Sequence, residues 1–411
     1  MSSSPRSPAP PWLPFVLIPL ATLLLRVAYY AHRSVFALKV SELGFTPAQI
    51  GTALASGEAL AMAGYALGAV LVSVRPHAAA LVGALLCLLG LGLFQLNPGA
   101  WTTAEMAIRL GMGCFQLGVL VVLVVSSLGF QRRMLAVAAL LGAGTLGGLV
   151  GPLLGGAAYA GAQRSGALLP ALLALVGVAV SGHLTALPRG NKQAAARRDN
   201  CGLRQRWLLS LGLCLLGGLG SALYSASTNA PYQAEPSFWF NLRTSFGPPL
   251  LGALGVVLAG ALAPERSWSR ARSFGVGLIL FSAAALVSAH ATQHGLNANL
   301  LAGLALAGFA QPIVESLLLA ALFGVWPKRR AGLAYLGFAL LTSFAQARAW
   351  LAFAAQPTAT ASLVWWGTAL GALGLLLGVA ALVFSRRVEA LLSATEVDPD
   401  FEPAVASIAA D

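Results

Sequence analysis

Charged residues are scarce in this 411-residue sequence, and paired cysteines are missing. Only 9% of the residues are charged, 58% are hydrophobic, and the mean hydropathy is +0.79. Soluble globular domains carry about 25% charged residues, so the composition excludes that class and predicts a polytopic membrane protein. The four cysteines have neither CxxC nor metal-ligand spacing: Cys87, Cys114, Cys201 and Cys214. We therefore expect no disulfide framework and no metal site.

The sequence also lacks recognisable catalytic motifs. Its five histidines are scattered, and it contains neither HExxH nor a glycine-rich phosphate loop that ends in Lys-Ser or Lys-Thr. We therefore expect no enzyme, no ATP-driven pump and no cofactor. The net charge of +12 does not indicate a nucleic-acid partner, because the basic residues lie at the ends of apolar segments without exposed aromatic residues between them.

Long apolar segments are what the sequence has instead. A transmembrane helix needs about 20 predominantly apolar residues. Twelve segments are of this kind, at about 12–40, 47–74, 78–97, 101–128, 134–161, 165–187, 207–231, 238–263, 272–291, 297–325, 331–355 and 361–385. We predict an all-α membrane protein with 12 transmembrane helices.

A basic hydrophilic stretch divides these segments six and six. We predict a six-helix bundle at 12–187, a basic cytoplasmic linker at 188–206 and a second six-helix bundle at 207–387. The polar ends are predicted to be a disordered cytoplasmic tail at 1–11 and an acidic cytoplasmic tail at 388–411. The basic breaks after the fourth and tenth segments resemble each other, which indicates a parallel repeat with a site between the halves.

The basic residues predict the orientation and the compartment. Most Lys and Arg residues near segment ends lie on the side of the amino terminus, so the positive-inside rule places both termini in the cytoplasm. Only Lys39, Lys192 and Lys328 of the 25 basic residues are lysines, which is typical of a GC-rich bacterial genome. We expect a multi-pass monomer in the lipid bilayer of a bacterial inner (plasma) membrane.

The first segment carries two arginines in its apolar middle. Arg26, Tyr30 and Arg33 are spaced i, i+4, i+7, so they share one helix face. A charge at this depth costs several kcal/mol unless it faces protein or a water-filled cavity, so it marks a functional path. Because arginine binds carboxylates and phosphates bidentately, we predict that this face presents cations to an anionic substrate, with Tyr29 as a further donor.

Eight charged residues lie in the interior of the predicted spans, away from their end residues. The cations are Arg26, Arg33, Arg109, Arg243 and Arg348, and the carboxylates are Glu58, Glu105 and Glu315. Glu105 and Arg109 are four residues apart on one helix, and we predict that they form a structural pair. Arg26 has two open interpretations: it binds substrate, or it pairs with Glu58 or Glu315 as a link between helices.

Two of these carboxylates are candidates for proton coupling. A carboxylic acid in a low-dielectric span can be neutral in one state of a cycle and ionised beside an arginine in another, so Glu58 and Glu315 are predicted proton carriers. A static salt bridge remains the alternative for each. Tyr224, Asn229 and Arg348 are further candidates for substrate binding, although tyrosines in membrane helices are more often belt or packing residues.

Several motifs resemble the major facilitator superfamily over nearly the whole chain. Arg109-Leu-Gly-Met-Gly113 is similar to its Arg-x-x-x-Gly motif, and Gly151-Pro152 with the flanking glycines resembles the Gly-Pro-x-x-Gly-Gly motif of its proton antiporters. The resemblance implies the major facilitator fold, with alternating access by rocking of the two halves. It also implies packing or gating roles for these four residues, because glycine permits close helix approach and proline frees a carbonyl.

The cytoplasmic loop motif of that family is recognisable in one half only. The loop after the eighth segment, with Glu265 and Arg266, is closer to the family pattern than the loop after the second segment, which keeps only Gly68 and Arg75. The resemblance therefore implies a gating role for Glu265 and Arg266.

The first two segments resemble two subfamilies. The stretch from Tyr29 to Leu38 looks like organophosphate:phosphate antiporters, in which the arginine of such a stretch holds phosphate, whereas Arg26, the tyrosine pair and Arg33 resemble proton-coupled oligopeptide transporters. However, Thr22 and Leu25 stand where the peptide transporters carry glutamates, and the seventh segment lacks the partner arginine of the phosphate antiporters.

The function that these resemblances imply is secondary active transport. We expect a small organic anion or zwitterion as substrate and a proton as the coupled ion. Efflux of drugs or metabolites by proton antiport is an alternative substrate class, and a non-transporting sensor or assembly scaffold on a transporter fold is an alternative function.

Overall fold

A computed structural model describes residues 13–125, 129–160, 168–184, 203–234, 251–252, 254–258, 270–291, 298–326, 330–354 and 359–395. All regular structure in these ranges is helical. The α-helices are α1 (Leu13–Glu42), α2 (Pro47–Val74), α3 (Pro76–Leu96), α4 (Trp101–Val125), α5 (Gly129–Ala160), α6 (Leu168–Leu184), α7 (Leu203–Ala234), α8 (Arg270–Ala291), α9 (Ala298–Val325), α10 (Ala331–Ala354), α11 (Ala359–Val383) and α12 (Ser385–Thr395).

These helices confirm the predicted all-α membrane class. Among the described residues, nine helices are long and apolar enough to cross a membrane, so the chain is a multi-pass membrane protein. The predicted segment at 238–263 lies mostly outside the described residues, although 251–252 and 254–258 are helical. The count of 12 spans and the cytoplasmic side of the termini stay predictions.

Two helices extend past the predicted domain boundaries, which stay predictions. α7 begins at Leu203, inside the predicted linker 188–206, because a membrane helix can continue through basic residues whose long side chains reach the polar interface. α12 occupies the start of the predicted tail, where Arg270 Nε donates a 2.5 Å hydrogen bond to Glu389 Oε1 and the Ala271 amide donates to Glu389 Oε2 at 3.3 Å. The rest of both polar segments and residues 1–12 lie outside the described residues.

The turn between α1 and α2 fixes where α2 begins. Gly44 has φ +86°, a conformation that residues with a Cβ atom rarely adopt. The Thr46 hydroxyl accepts a hydrogen bond from the Gln49 amide at 3.4 Å, and the Gln49 side chain accepts from the Thr46 amide at 2.8 Å. This capping box, followed by Pro47 at the first helical position, starts the helix that carries Glu58.

The same helix pairings occur in both halves of the chain. In the first half α3 packs on α4, α1 on α5 and α3 on α6; in the second half α8 packs on α9, α7 on α10 and α8 on α11. These pairs correspond when the partly described 238–263 segment is counted as the second element of its half. The repeated packing agrees with a six-helix unit used twice.

The two halves meet through α2 against α10 and α5 against α9. The rings of Tyr65 and Tyr335 lie edge to face with centroids 5.9 Å apart. Met134 of α5 joins a buried cluster with Leu317 and Ala320 of α9. These contacts lie toward the ends of the helices that the positive-inside rule predicts to be cytoplasmic.

Candidate functional site

A cavity of about 420 Å³ lies between the two halves. Residues of α1, α2, α4 and α5 line it from the first half, and residues of α7, α8, α9 and α10 together with Gly252 line it from the second. Its charged lining residues within the described ranges are Arg26, Arg33, Glu58, Arg109 and Glu315. Small-molecule sites are typically about 300–1,000 Å³, so this space suits a small ligand rather than a macromolecule.

Glycines of α5 allow α1 to approach and set the position of its polar face. A Cβ atom on Gly147 would lie 2.5 Å from Arg26 Cβ, and one on Gly151 would lie 2.6 Å from Tyr30 Cβ. Pro152 follows in the same helix and removes the hydrogen bond to the Gly148 carbonyl, and Gly148 lines the cavity. The glycine motif therefore acts by close packing that holds Arg26 and Tyr30 against the cavity.

Close packing also joins α2 to α4. A Cβ atom on Gly113 would collide with the Ala61 carbonyl oxygen and lie 3.0 Å from the Tyr65 amide nitrogen. A Cβ atom on Gly57 would lie 3.1 Å from Arg109 Cγ. This approach brings Glu58 of α2 within hydrogen-bond distance of Arg109 of α4.

Arg109 is the centre of a buried ion cluster in the first half. Its Nε atom donates to Glu105 Oε1 at 2.7 Å, and its Nη1 atom donates to Glu58 Oε1 at 2.5 Å. The side chain of Arg109 is 7% exposed, and those of Glu58 and Glu105 are each 5% exposed. The predicted Glu105–Arg109 pair is confirmed, and the partner of Glu58 is Arg109 rather than Arg26.

Arg33 and His32 complete this cluster from α1. Arg33 Nη1 donates to the Tyr29 hydroxyl at 3.1 Å and lies 4.0 Å from Glu105 Oε1, and its side chain is 23% exposed. His32 Nε2 lies 3.4 Å from Glu105 Oε2. We call Arg33, Glu58, Glu105 and Arg109 the first-half ion cluster. Its two cations and two carboxylates balance each other without a ligand.

Arg26 is in a different electrostatic situation. It is half-buried at the cavity, within electrostatic range of Tyr30 and Tyr65 in its own half and of Tyr335 and Glu315 in the other. Within the described part of the chain it makes no hydrogen bond or ion pair with a carboxylate. Its charge therefore faces the cavity without a direct counter-ion.

Glu315 lies on the opposite side of the cavity from Arg26. It is half-buried, and its Oε2 atom accepts a hydrogen bond from Gln311 Nε2 at 3.4 Å. Pro312 lies within the same helix, α9. Arg26 acts electrostatically on Glu315. The two halves thus present opposite charges to one cavity.

The remaining predicted site residues divide into three groups. Tyr224 lines the cavity from α7. Arg348 lies on α10 with an exposed side chain and is outside the described cavity lining. The side chain of Asn229 and all of Glu265 and Arg266 lie outside the described residues.

The aromatic lining from the second half was missed by sequence reasoning. Phe281, Tyr335 and Phe338 all line the cavity. Tyr335 and Phe338 are three residues apart on α10, a spacing that could have indicated a shared face. In a membrane helix, however, the same spacing fits lipid contact or packing equally well.

Three solved structures with a similar fold are transporters by their names. The human organic anion transporter MFSD10 (TETRAN) is 17% identical, with a TM-score of 0.70, over 90% of this chain and 99% of that chain. A POT family transporter in complex with a thioalcohol-conjugated peptide is 15% identical, with a TM-score of 0.67, over 90% of this chain and 96% of that chain. The E. coli fucose:proton symporter FucP, in its N162A form, is 15% identical, with a TM-score of 0.60, over 90% of this chain and 98% of that chain.

These likenesses concern the fold rather than the sequence. No model of a known protein family matches the sequence, and no curated protein matches it. The structural coverage is nearly complete on both sides, so the chain has the major facilitator fold, as the sequence motifs implied.

Proposed function

We propose that this chain is a secondary active transporter that moves a small organic anion or zwitterion through the cavity by alternating access. The observation that carries the proposal is the position of Arg26, a cation at the cavity with no carboxylate bonded to it in the described part of the chain. A buried charge in a membrane protein is costly unless it is compensated, and an anionic substrate supplies the compensation.

The fold gives this site a means of changing access. The cavity lies between the halves, and the halves contact each other beside it through Tyr65 and Tyr335 and through Met134 and Leu317. Rocking of one half against the other would open these contacts and close others around the same midplane site. The similar structures are transporters of an organic anion, a peptide or a sugar, by their names, which supports transport over catalysis.

We assign the proton-carrying role to Glu315. Glu58 is held by Arg109 at 2.5 Å, whereas Glu315 has only the 3.4 Å hydrogen bond from Gln311 among its described hydrogen bonds. An anion bound to Arg26 would weaken the attraction of Arg26 for Glu315, and protonation of Glu315 would then restore charge balance. Substrate binding and proton binding thereby favour each other.

The proposal includes a membrane, an oligomeric state and an orientation for this protein. A multi-pass protein with this fold would work in a bacterial inner membrane as a monomer, with both termini in the cytoplasm. Arg33 would act in positioning Tyr29 beside the cavity rather than as the main anion ligand, because it lies close to Glu105.

Uptake into proteoliposomes tests the proposal. Purified protein should accumulate a labelled monocarboxylate such as benzoate when a proton gradient is applied. Arg26→Gln should reduce the initial rate at least about tenfold, while the exposed Arg132→Gln, which removes the same charge outside the cavity, should keep it. Equal rates for Arg26→Gln and the unmodified protein would reject the anion site, and binding without uptake would favour a sensor or scaffold.

A further inference from the structure

We infer that the ligand of this cavity is a monocarboxylate that carries an aromatic ring. The inference rests on the proposed function and narrows its substrate class. It depends on three features of the cavity: where the tyrosines of the chain lie, how many uncompensated cations there are, and what the lining amides do.

Tyrosines are concentrated at this cavity. The chain has seven tyrosines, and five of them line it: Tyr29, Tyr30, Tyr65, Tyr224 and Tyr335. Tyrosines that served as a membrane-interface belt would instead face the lipid headgroups. A tyrosine offers an apolar ring face together with a hydroxyl group, so a wall of tyrosines fits a ligand with an apolar body and a polar end.

These rings come from both halves and line the same cavity as Arg26. Tyr65 and Tyr335 lie edge to face at 5.9 Å, Tyr335 and Phe338 lie at 6.2 Å, and Tyr224 and Phe281 lie edge to face at 6.4 Å. Aromatic pairs prefer centroid separations of about 4.5–7 Å in offset or edge-to-face geometry, so a ligand ring can join these pairs in the same geometry. Tyr65 and Tyr335 line the same cavity as Arg26 and are within electrostatic range of it, so one ligand can contact both the rings and the cation.

The charge of the cavity fits one negative charge. Arg33 and Arg109 lie in the first-half ion cluster, where Glu58 and Glu105 balance them. Arg26 alone among the described lining arginines has no carboxylate bonded to it. With Glu315 protonated, as proposed above, a monocarboxylate balances Arg26, whereas a dianion such as a phosphate monoester leaves about one charge uncompensated.

The polar lining fits a polyhydroxylated ligand poorly. The Gln116 oxygen accepts from the Tyr65 hydroxyl at 2.8 Å, Gln311 donates to Glu315, and Gln346 donates to Ser221 at 3.4 Å. The three amides of the described lining are thus already engaged with protein groups. A sugar would compete with these bonds for the amide groups, whereas an aromatic ring would not.

A panel of ligands tests the inference on the protein without any substitution. Affinities are measured by calorimetry on the full chain for phenylacetate, acetate, cyclohexylacetate, benzyl alcohol, phenyl phosphate, phenylalanine and fucose. Phenylacetate should bind at least about tenfold more tightly than acetate, which lacks the ring, and than benzyl alcohol, which lacks the negative charge. It should also bind about 2- to 10-fold more tightly than cyclohexylacetate, because the saturated ring has no quadrupole.

The other ligands of the panel distinguish failure of this inference from failure of the proposed function. Acetate within about threefold of phenylacetate, with uptake retained, would overturn the aromatic preference and leave the anion transporter intact. If phenylalanine or phenyl phosphate binds more tightly than phenylacetate, the inferred monocarboxylate is wrong, and the ligand is a zwitterion or a dianion. Binding of fucose without any carboxylate would reject both the inference and the anion site.

Variants of one lining ring supply the second test. Tyr335→Phe keeps the ring and should keep the preference for phenylacetate over acetate, whereas Tyr335→Leu should reduce that preference about three- to tenfold. If Tyr335→Leu does not fold, Phe338→Leu gives the same readout. An unchanged preference in the folded leucine variant would overturn the inference.

Discussion

Two sets of charges face the same cavity, and they are held in opposite ways. In the first-half ion cluster, Arg109 bonds Glu105 at 2.7 Å and Glu58 at 2.5 Å, and all three side chains are nearly fully buried. Across the cavity, Arg26 and Glu315 attract each other without an ion-pair contact, and both are half-buried. The cluster is held by direct ion pairs, whereas the second pair is the one that we propose binds a ligand and a proton.

This difference distinguishes charges that stabilise the fold from charges that we propose take part in transport. Breaking a buried ion pair leaves an uncompensated charge in low dielectric, so a closed cluster fixes helix positions but cannot readily change partners. A pair that is attracted without bonding can exchange partners when a substrate arrives. The same residue types thus support the fold in one place and the proposed transport cycle in another.

The largest expected effect comes from opening the cluster. Arg109→Gln would leave Glu58 and Glu105 facing each other without their common cation. We expect the free energy of unfolding to fall by about 3–5 kcal/mol, seen as a clear drop of the unfolding temperature in detergent. Arg26→Gln is the matched control and should lower stability by less than about 1 kcal/mol, because it removes no bonded partner. Equal losses for the two variants would contradict the distinction between the two sets.

The next effect concerns the helix approach that positions Arg26. A Cβ atom on Gly151 would lie 2.6 Å from Tyr30 Cβ and 2.8 Å from the Val27 carbonyl oxygen, so Gly151→Ala must push α1 away. We expect a loss of about 1–3 kcal/mol in stability and a weaker affinity for carboxylates. Gly212→Ala is the control, because a Cβ atom there would meet nothing within 4 Å. Comparable thermal stability for both alanine variants would show that α1 does not depend on this approach.

The third effect is on coupling rather than stability. Glu315→Gln removes the proposed proton carrier while retaining a side chain that can bond Gln311. We expect gradient-driven accumulation to be lost, whereas exchange of labelled for unlabelled substrate across the membrane continues. Measuring both activities in the same vesicles distinguishes this outcome from simple inactivation. If accumulation persists in the variant, the coupled proton is carried elsewhere.

The sequence predicted the helices better than it predicted the site. α2 has the predicted bounds, because Thr46, Pro47 and the basic residue Arg75 mark its ends in the sequence. Arg26 and Glu315 could be identified as cavity residues, because a charge within an apolar segment has few tolerable locations. The Glu105–Arg109 pair could be predicted because both residues are on one helix.

Residue spacing along the sequence does not predict contacts between helices that are distant in the chain. Nothing in the sequence shows that Arg109 of α4 bonds Glu58 of α2 rather than leaving Glu58 to Arg26, because that choice depends on the close approach at Gly113 and Gly57. Substrate binding by Arg348, which its charge within a predicted span suggested, stays a prediction: its side chain is exposed and is not among the described cavity-lining residues. Which side of a helix faces the cavity depends on tertiary packing, and a single sequence does not show that packing.

The smallest expected effect tests burial alone. Arg270 Nε and Glu389 Oε1 are also 2.5 Å apart, the same separation as Arg109 and Glu58, but these side chains are 20% and 28% exposed. Because water screens such a pair, Glu389→Gln should cost no more than about 1 kcal/mol, and glutamine can still accept from the Ala271 amide. Thermal unfolding of Glu389→Gln beside Glu58→Gln compares two pairs of equal length in different surroundings. A loss at Glu389 as large as that at Glu58 would mean that distance, rather than burial, determines how strongly a charge pair supports this fold.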